Sequence, residues 1–333
     1  MKFITTLILI PALLLVACQT STNSQNSIQV DPLTYDQIED GIKVTEQGVK
    51  YLVNPDKIRK GIQRPGDVKD VIPSIDNPTF VSVEDASEWI EDNELVLYLE
   101  YKDEKRIYPL QILVWHEIVN DVVAKDPLLI TYCPLCGSGI AYDRLLDNKS
   151  VEFGTSGKLY NSNLVMYDRD SETYWTQIDG LAIVGEKTGQ SLTPISIDTL
   201  SWGAIKNIHT DTQVLDKPGT SRNYGQDPYG GYYEDDFLIF PVENEDNETG
   251  IHPKDVVFGI TINNETKAYQ ESVLIDNPII QDTLGGLNIT VTRDEIGIVK
   301  ILDQDGNEIV KERDFWFAWY AFHPETTVYG LDN

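Results

Sequence analysis

Short apolar runs broken by polar turns recur along the chain, and they predict strands rather than long helices. Residues 94–113 read ELVLYLEYKDEKRIYPLQIL: an apolar strand, a polar turn at Lys102, a second strand and a short apolar segment. The same pattern returns at residues 255–274, DVVFGITINNETKAYQESVL. Sliding the sequence by 161 positions lays residues 94–132 on 255–293 without a gap, with Tyr108 on Tyr269 and Asp121 on Asp282. Both stretches close alike. Trp202 precedes His209 by seven positions, Trp316 precedes His323 by seven, and each ending reads H-x-[D/E]-T-x-V. The expected fold is mainly β with a few short helices (α+β), built from two related tandem units.

The expected organisation is residues 1–17 as a lipoprotein signal peptide, 18–35 as a flexible tether and 36–215 as the first unit. Residues 216–236 form a connecting loop rich in Tyr and Gly, and 237–333 the second unit. The first unit carries a CxxC hairpin and an insertion near 152–180 that the second lacks. Its His116, Cys133 and Cys136 fall opposite Asn277, Asp294 and Gly297, so the shared frame is structural and the extra chemistry sits in one half.

The amino terminus reads as an address. One positive charge is followed by an apolar run over 4–16, too short to span a bilayer. It ends Leu-Val-Ala-Cys at Cys18, the pattern of a bacterial lipobox, so Cys18 is the expected lipidation site. Gln19 after the cysteine points to the outer membrane, with the body facing the periplasm. The polar stretch QTSTNSQNSIQV reads as the tether. The expected membrane contact is therefore an anchor and no later span.

Composition narrows the partners. With 26 Lys and Arg against 54 Asp and Glu, the formal charge is −28. Nucleic-acid binding needs clustered cations and is excluded as an expectation. Runs such as ENEDNE at 243–248 read as solvated turns.

With Cys18 lipidated, Cys133 and Cys136 are the remaining cysteines, within LLITYCPLCGSGIAY at 128–142. A bridge over so small a loop contributes only ~2 kcal/mol in the chain-entropy model. Chemistry therefore explains the pair better than stability does. No His follows the motif, which excludes ordinary c-type haem attachment. The flanking strands and glycines oppose a helix starting at the CxxC and resemble a metal knuckle, which supplies two of four ligands. Copper and zinc both fit as the cofactor: thiolate softness favours copper and the knuckle shape zinc. His116 is the candidate third ligand and His209 or His323 the fourth. Glu117, beside His116, is a candidate general base or ligand-orienting partner, and Cys133 a candidate nucleophile. Met166 is a weak thioether candidate, since the alternation around it also fits a core strand. His209 and His323 could equally be fold-maintaining, bonded to Asp211 or Glu325. Tyr224, the later tyrosines and Arg222 of the connecting loop read as a substrate wall or a plain connector.

Four strings resemble one known family: TYCPLCGS at 131–138, FGTSG at 153–157, NSNLVMYD at 161–168 and FHPET at 322–326. They are similar to a family of exported bacterial proteins catalogued as domain of unknown function 3179. The resemblance runs from about residue 70 onward. It implies export and supplies no mechanism. No GxSxG elbow, P-loop or dinucleotide fingerprint is present. Three functions stay open: a lipid-anchored envelope protein binding copper or zinc, a metal-free dithiol–disulfide oxidoreductase, or a non-catalytic envelope scaffold. Enzymatic activity itself is left open.

Overall fold

The computed structural model describes residues 35–37, 41–219 and 222–331. The expected signal peptide, Cys18 and nearly all of the tether lie outside the described residues. Strand accounts for 40% and helix for 13%, in several small sheets with five short helices, so the fold is mainly β.

One sheet places Leu95–Tyr101 between Asp198–Ser201 and Glu104–Pro109, both antiparallel to it, with Gln213–Leu215 added parallel to Glu104–Pro109. A second sheet repeats that order and sense. Val256–Ile262 lies between Glu312–Phe315 and Glu265–Gln270, and Thr327–Val328 is added parallel. A three-strand meander follows the paired hairpin in each half: Ile118–Val123, Asp126–Cys133 and Ser138–Asp143, then Ile279–Leu284, Leu287–Arg293 and Val299–Asp303. Equivalent side chains lock the two parts together. Tyr108 donates its hydroxyl to Asp121 at 2.7 Å, and Tyr269 donates to Asp282 at 2.9 Å. Trp202 and Trp316 are both buried and open the short helices Trp202–Ile205 and Trp316–Phe322.

The stretch near 152–180 builds a different layer. Phe153–Tyr160, Asn163–Asp168, Tyr174–Thr176 and Ala182–Val184 form a meander. Short strands near the amino terminus flank it, through Lys158 opposite Lys60 and Val184 opposite Tyr51. Asn161 and Ser162 take positive φ (50° and 61°) between Tyr160 and Asn163, as a two-residue hairpin turn requires. Ser156 and Gly157 form a bulge in the first of these strands.

The largest apolar cluster joins these parts. Cys133, Cys136, Phe153, Met166 and Trp175 pack in one core with Phe315, Phe317 and Ala318 from the carboxy-terminal segment. The CxxC turn therefore sits where three layers meet.

Candidate functional site around the paired cysteines

The Asp126–Cys133 strand runs into a 3-10 turn at Pro134–Cys136 and returns as Ser138–Asp143, with Cys133 opposite Ser138. Gly137 ends the turn at φ 59°, where a left-handed conformation favours glycine. A Cβ there would meet the Phe315 ring at 2.7 Å. Three further contacts clamp the turn. Arg313 Nη1 donates to the Gly137 carbonyl at 3.2 Å. Tyr232 donates its hydroxyl to the Leu135 carbonyl at 3.0 Å. Asn163 Nδ2 approaches Cys136 Sγ at 3.5 Å.

The two sulfurs are free and 3.2 Å apart. Both face the Ser162 carbonyl, at 3.9 Å from Cys133 and 3.6 Å from Cys136. Burial, followed by the hydrogen bond and charge of Cys133, pushes the Cys136 thiol well above its ordinary range. Asn163 is held in turn by Gln177, whose Oε1 accepts from Asn163 Nδ2 at 2.7 Å. Gln177 Nε2 reaches Thr131 Oγ1 at 3.0 Å. Asn161, Ser162, Asn163 and Gln177 were not legible as site residues, although the NSNLVMYD string marked three of them.

Cys133 opens onto a cavity of about 370 Å³. Its walls are mostly apolar, including Ile72, Leu135, Leu159 and Phe240, with Tyr229 from the connecting loop. Glu117 and Lys158 bring the ionisable groups of the other walls. Glu117 stands at φ 59° where the chain leaves the helix Leu110–Leu113. Its backbone carbonyl accepts from Tyr132 N at 2.8 Å, which fixes it beside the strand that ends at Cys133. Burial raises its carboxyl from 4.5 to about 8. Burial lowers the Lys158 ammonium. A proton-holding carboxyl and a thiol thus share one small, mostly apolar space.

Behind the turn lies a group of acids with raised pKa values. Burial raises Asp314 to about 7, against the lowering effect of Ser138 and then of Arg313. Burial also raises Glu312 well above the ordinary carboxylate range and Asp179 to about 6.

The histidines do not join the sulfurs. Among the described residues, no group of three or more His, Cys, Asp or Glu side chains is placed to hold a metal ion. His116 has Nδ1 2.7 Å from the Pro73 carbonyl and Nε2 2.7 Å from the Tyr224 hydroxyl, so both ring nitrogens are engaged. Burial lowers its pKa. His209 stacks on Tyr98, ring centroids 5.0 Å apart. His323 packs on Trp319 at 4.0 Å, and burial lowers it to about 4. Its Nε2 lies 3.8 Å from Asp179, the nearest acid, in place of the expected Glu325. Met166 is fully buried in a strand, opposite Thr155 and Trp175. The connecting loop is a wall: Tyr229 lines the Cys133 cavity, and Tyr232 seals the turn.

Residues 69–305 match one family model. The chain belongs to the family described as Protein of unknown function (DUF3179). The matched span takes in Glu117, both cysteines, the turn at Asn161 and Ser162, and the Tyr-rich loop. It stops before Arg313, Phe315 and His323. No curated protein and no solved structure matches the chain.

Proposed function

We propose that this protein performs thiol–disulfide exchange at Cys133 and Cys136, as a body held in the cell envelope by a lipid on Cys18. One observation carries the reading: two free sulfurs stand 3.2 Å apart, and the one lining a cavity shares it with the raised carboxyl of Glu117. Cys133 is the attacking thiol because it borders the cavity; Cys136 is the resolving thiol behind it.

The half-reaction balances with the substrate disulfide as the oxidant. Cys133 passes its proton to ionised Glu117 and attacks one sulfur of a substrate disulfide. The S–S electron pair leaves on the far sulfur, which takes the proton back from Glu117. Cys136 then attacks the Cys133 side of the mixed disulfide, its own proton moves to the second leaving thiolate, and two substrate thiols depart. The protein is oxidised to the Cys133–Cys136 disulfide, and the substrate is reduced. A carboxyl titrating near 8 holds both its forms at neutral and mildly alkaline pH, which suits proton transfer in both directions. The sulfurs close from 3.2 Å to ~2.05 Å in the product.

A second reading rests on the convergence of both sulfurs on the Ser162 carbonyl, which offers copper or zinc an S₂O donor set. Two thiolates on tetrahedral zinc, at ~2.3 Å each, stand ~3.8 Å apart. Zinc would therefore spread the pair.

One set of proteins tests both readings. Folded wild type treated with 2,2′-dithiodipyridine should release two thiones per chain and form an internal disulfide. Cys136→Ser should stop at a stable mixed disulfide on Cys133, and Cys133→Ser should not react. Native thiols that stay inert while unfolded chain reacts would overturn the proposal. Metal bound to wild type and lost in Cys133→Ser/Cys136→Ser would put the second reading in its place. Inert, metal-free protein would leave the cysteines as a local clip in a non-catalytic scaffold.

A further inference from the structure

A second cavity, of about 450 Å³, lies on the other side of the CxxC turn. It falls within the ~300–1,000 Å³ of ordinary small-molecule sites. Leu95, Leu110, Val114 and Phe315 give it an apolar body. Into it the Glu312–Phe315 strand delivers Arg313. Alternation puts Arg313 and Phe315 on the Gly137 side and Glu312 and Asp314 on the other.

Arg313 is incompletely satisfied. Nη1 is used on the Gly137 carbonyl. Nε is buried with no hydrogen-bond partner, and Nη2 bonds to no described residue. Among the described residues no carboxylate forms an ion pair with it. In a chain with 54 acids, a half-buried arginine without an ion pair, its Nε enclosed and unsatisfied beside an apolar cavity, needs a reason, because leaving a buried donor unsatisfied is costly. The cavity's own acids are engaged. Glu94 accepts from Gln111 Nε2 at 2.9 Å, and Asp227 accepts from Tyr229 N at 2.7 Å. Tyr233, on the same wall, holds its buried hydroxyl beside Asp227 and Tyr132.

We propose that this cavity binds a small monocarboxylate with an apolar tail or ring. The Nε/Nη2 edge of Arg313 is the fork that takes a planar carboxylate in two parallel hydrogen bonds. The tail lies along Leu110, Val114 and Phe315. The site is separate from the Cys133 cavity and stands or falls without thiol reactivity.

Calorimetric titration of the full chain with octanoate and with octanol tests it. Octanoate should bind at least ten-fold more tightly than octanol. Arg313→Gln should erase that difference, and Arg313→Lys should keep part of it. Leu110→Trp, which fills the cavity and leaves Arg313 in place, should abolish both and serves if Arg313→Gln fails to fold. Equal affinity for acid and alcohol in wild type, or octanoate binding unchanged in Leu110→Trp, would overturn the proposal.

Discussion

Replacing Glu117 by Gln keeps the side chain's shape and removes its titration, and the expected effect on stability depends steeply on pH. The folded carboxyl titrates at about 8 against an ordinary 4.5, because burial penalises its charged form. At about 1.4 kcal/mol per pH unit, full ionisation costs the folded state ~5 kcal/mol. The sign follows from proton binding. The folded state holds this proton more tightly than the unfolded chain, so the contribution is complete below 4.5 and is lost as pH rises through about 8. By pH 7 roughly half or more of that loss has accrued. Wild type and Glu117→Gln should therefore match near pH 4.5, and the variant should gain steadily to pH 9. The upper bound is ~5 kcal/mol, less whatever water entering the cavity screens. Urea unfolding followed by tryptophan fluorescence at pH 4.5, 7 and 9 measures it. Subtracting the two curves cancels every other titrating group. Parallel curves over that range would refute the claim that Glu117 is held protonated by its surroundings. The same variant should slow disulfide exchange by ~10²-fold and lose the rise in rate near pH 8.

Gly137→Ala should lower stability by ~2 kcal/mol or more, since it combines a left-handed backbone with a 2.7 Å approach to Phe315; thermal unfolding reads it. Asp314→Asn should raise stability above pH 7 and have little effect near pH 4, because burial lifts that carboxyl to about 7 against the opposing pull of Ser138 and Arg313. Tyr108→Phe should cost more than Tyr269→Phe, each within ~1–3 kcal/mol, because Asp282 retains Lys267 Nζ at 2.9 Å whereas Asp121 loses its only side-chain hydrogen bond among the described residues. Equal losses in denaturant midpoint would contradict that ordering.

The fold was legible where it is local. Alternation and polar turns gave the strands, whereas Trp202 and Trp316 were legible only by their spacing to His209 and His323, not as the starts of short helices. The pairing of Lys158 with Lys60 and of Val184 with Tyr51 was not, because such long-range register leaves no mark on neighbouring residues. The cysteines were named by spacing, and Glu117 by its place beside His116. The partners that occupy His116, the Pro73 carbonyl and the Tyr224 hydroxyl, come from distant chain segments, one of them through its backbone. The Ser162 carbonyl beneath the sulfurs was invisible for the same reason: any residue at that turn presents one.

The clamp on the CxxC turn sets an order of events in the life of the chain. Cys133 and Cys136 are synthesised long before Arg313 and Phe315, which close over Gly137. Until the last segment docks, the thiols stand open to any oxidant or wrong partner they meet. A nascent or truncated chain should thus be labelled at both cysteines by a bulky alkylating reagent, whereas the mature chain should shield Cys136 and leave Cys133 open only to reagents small enough for its cavity.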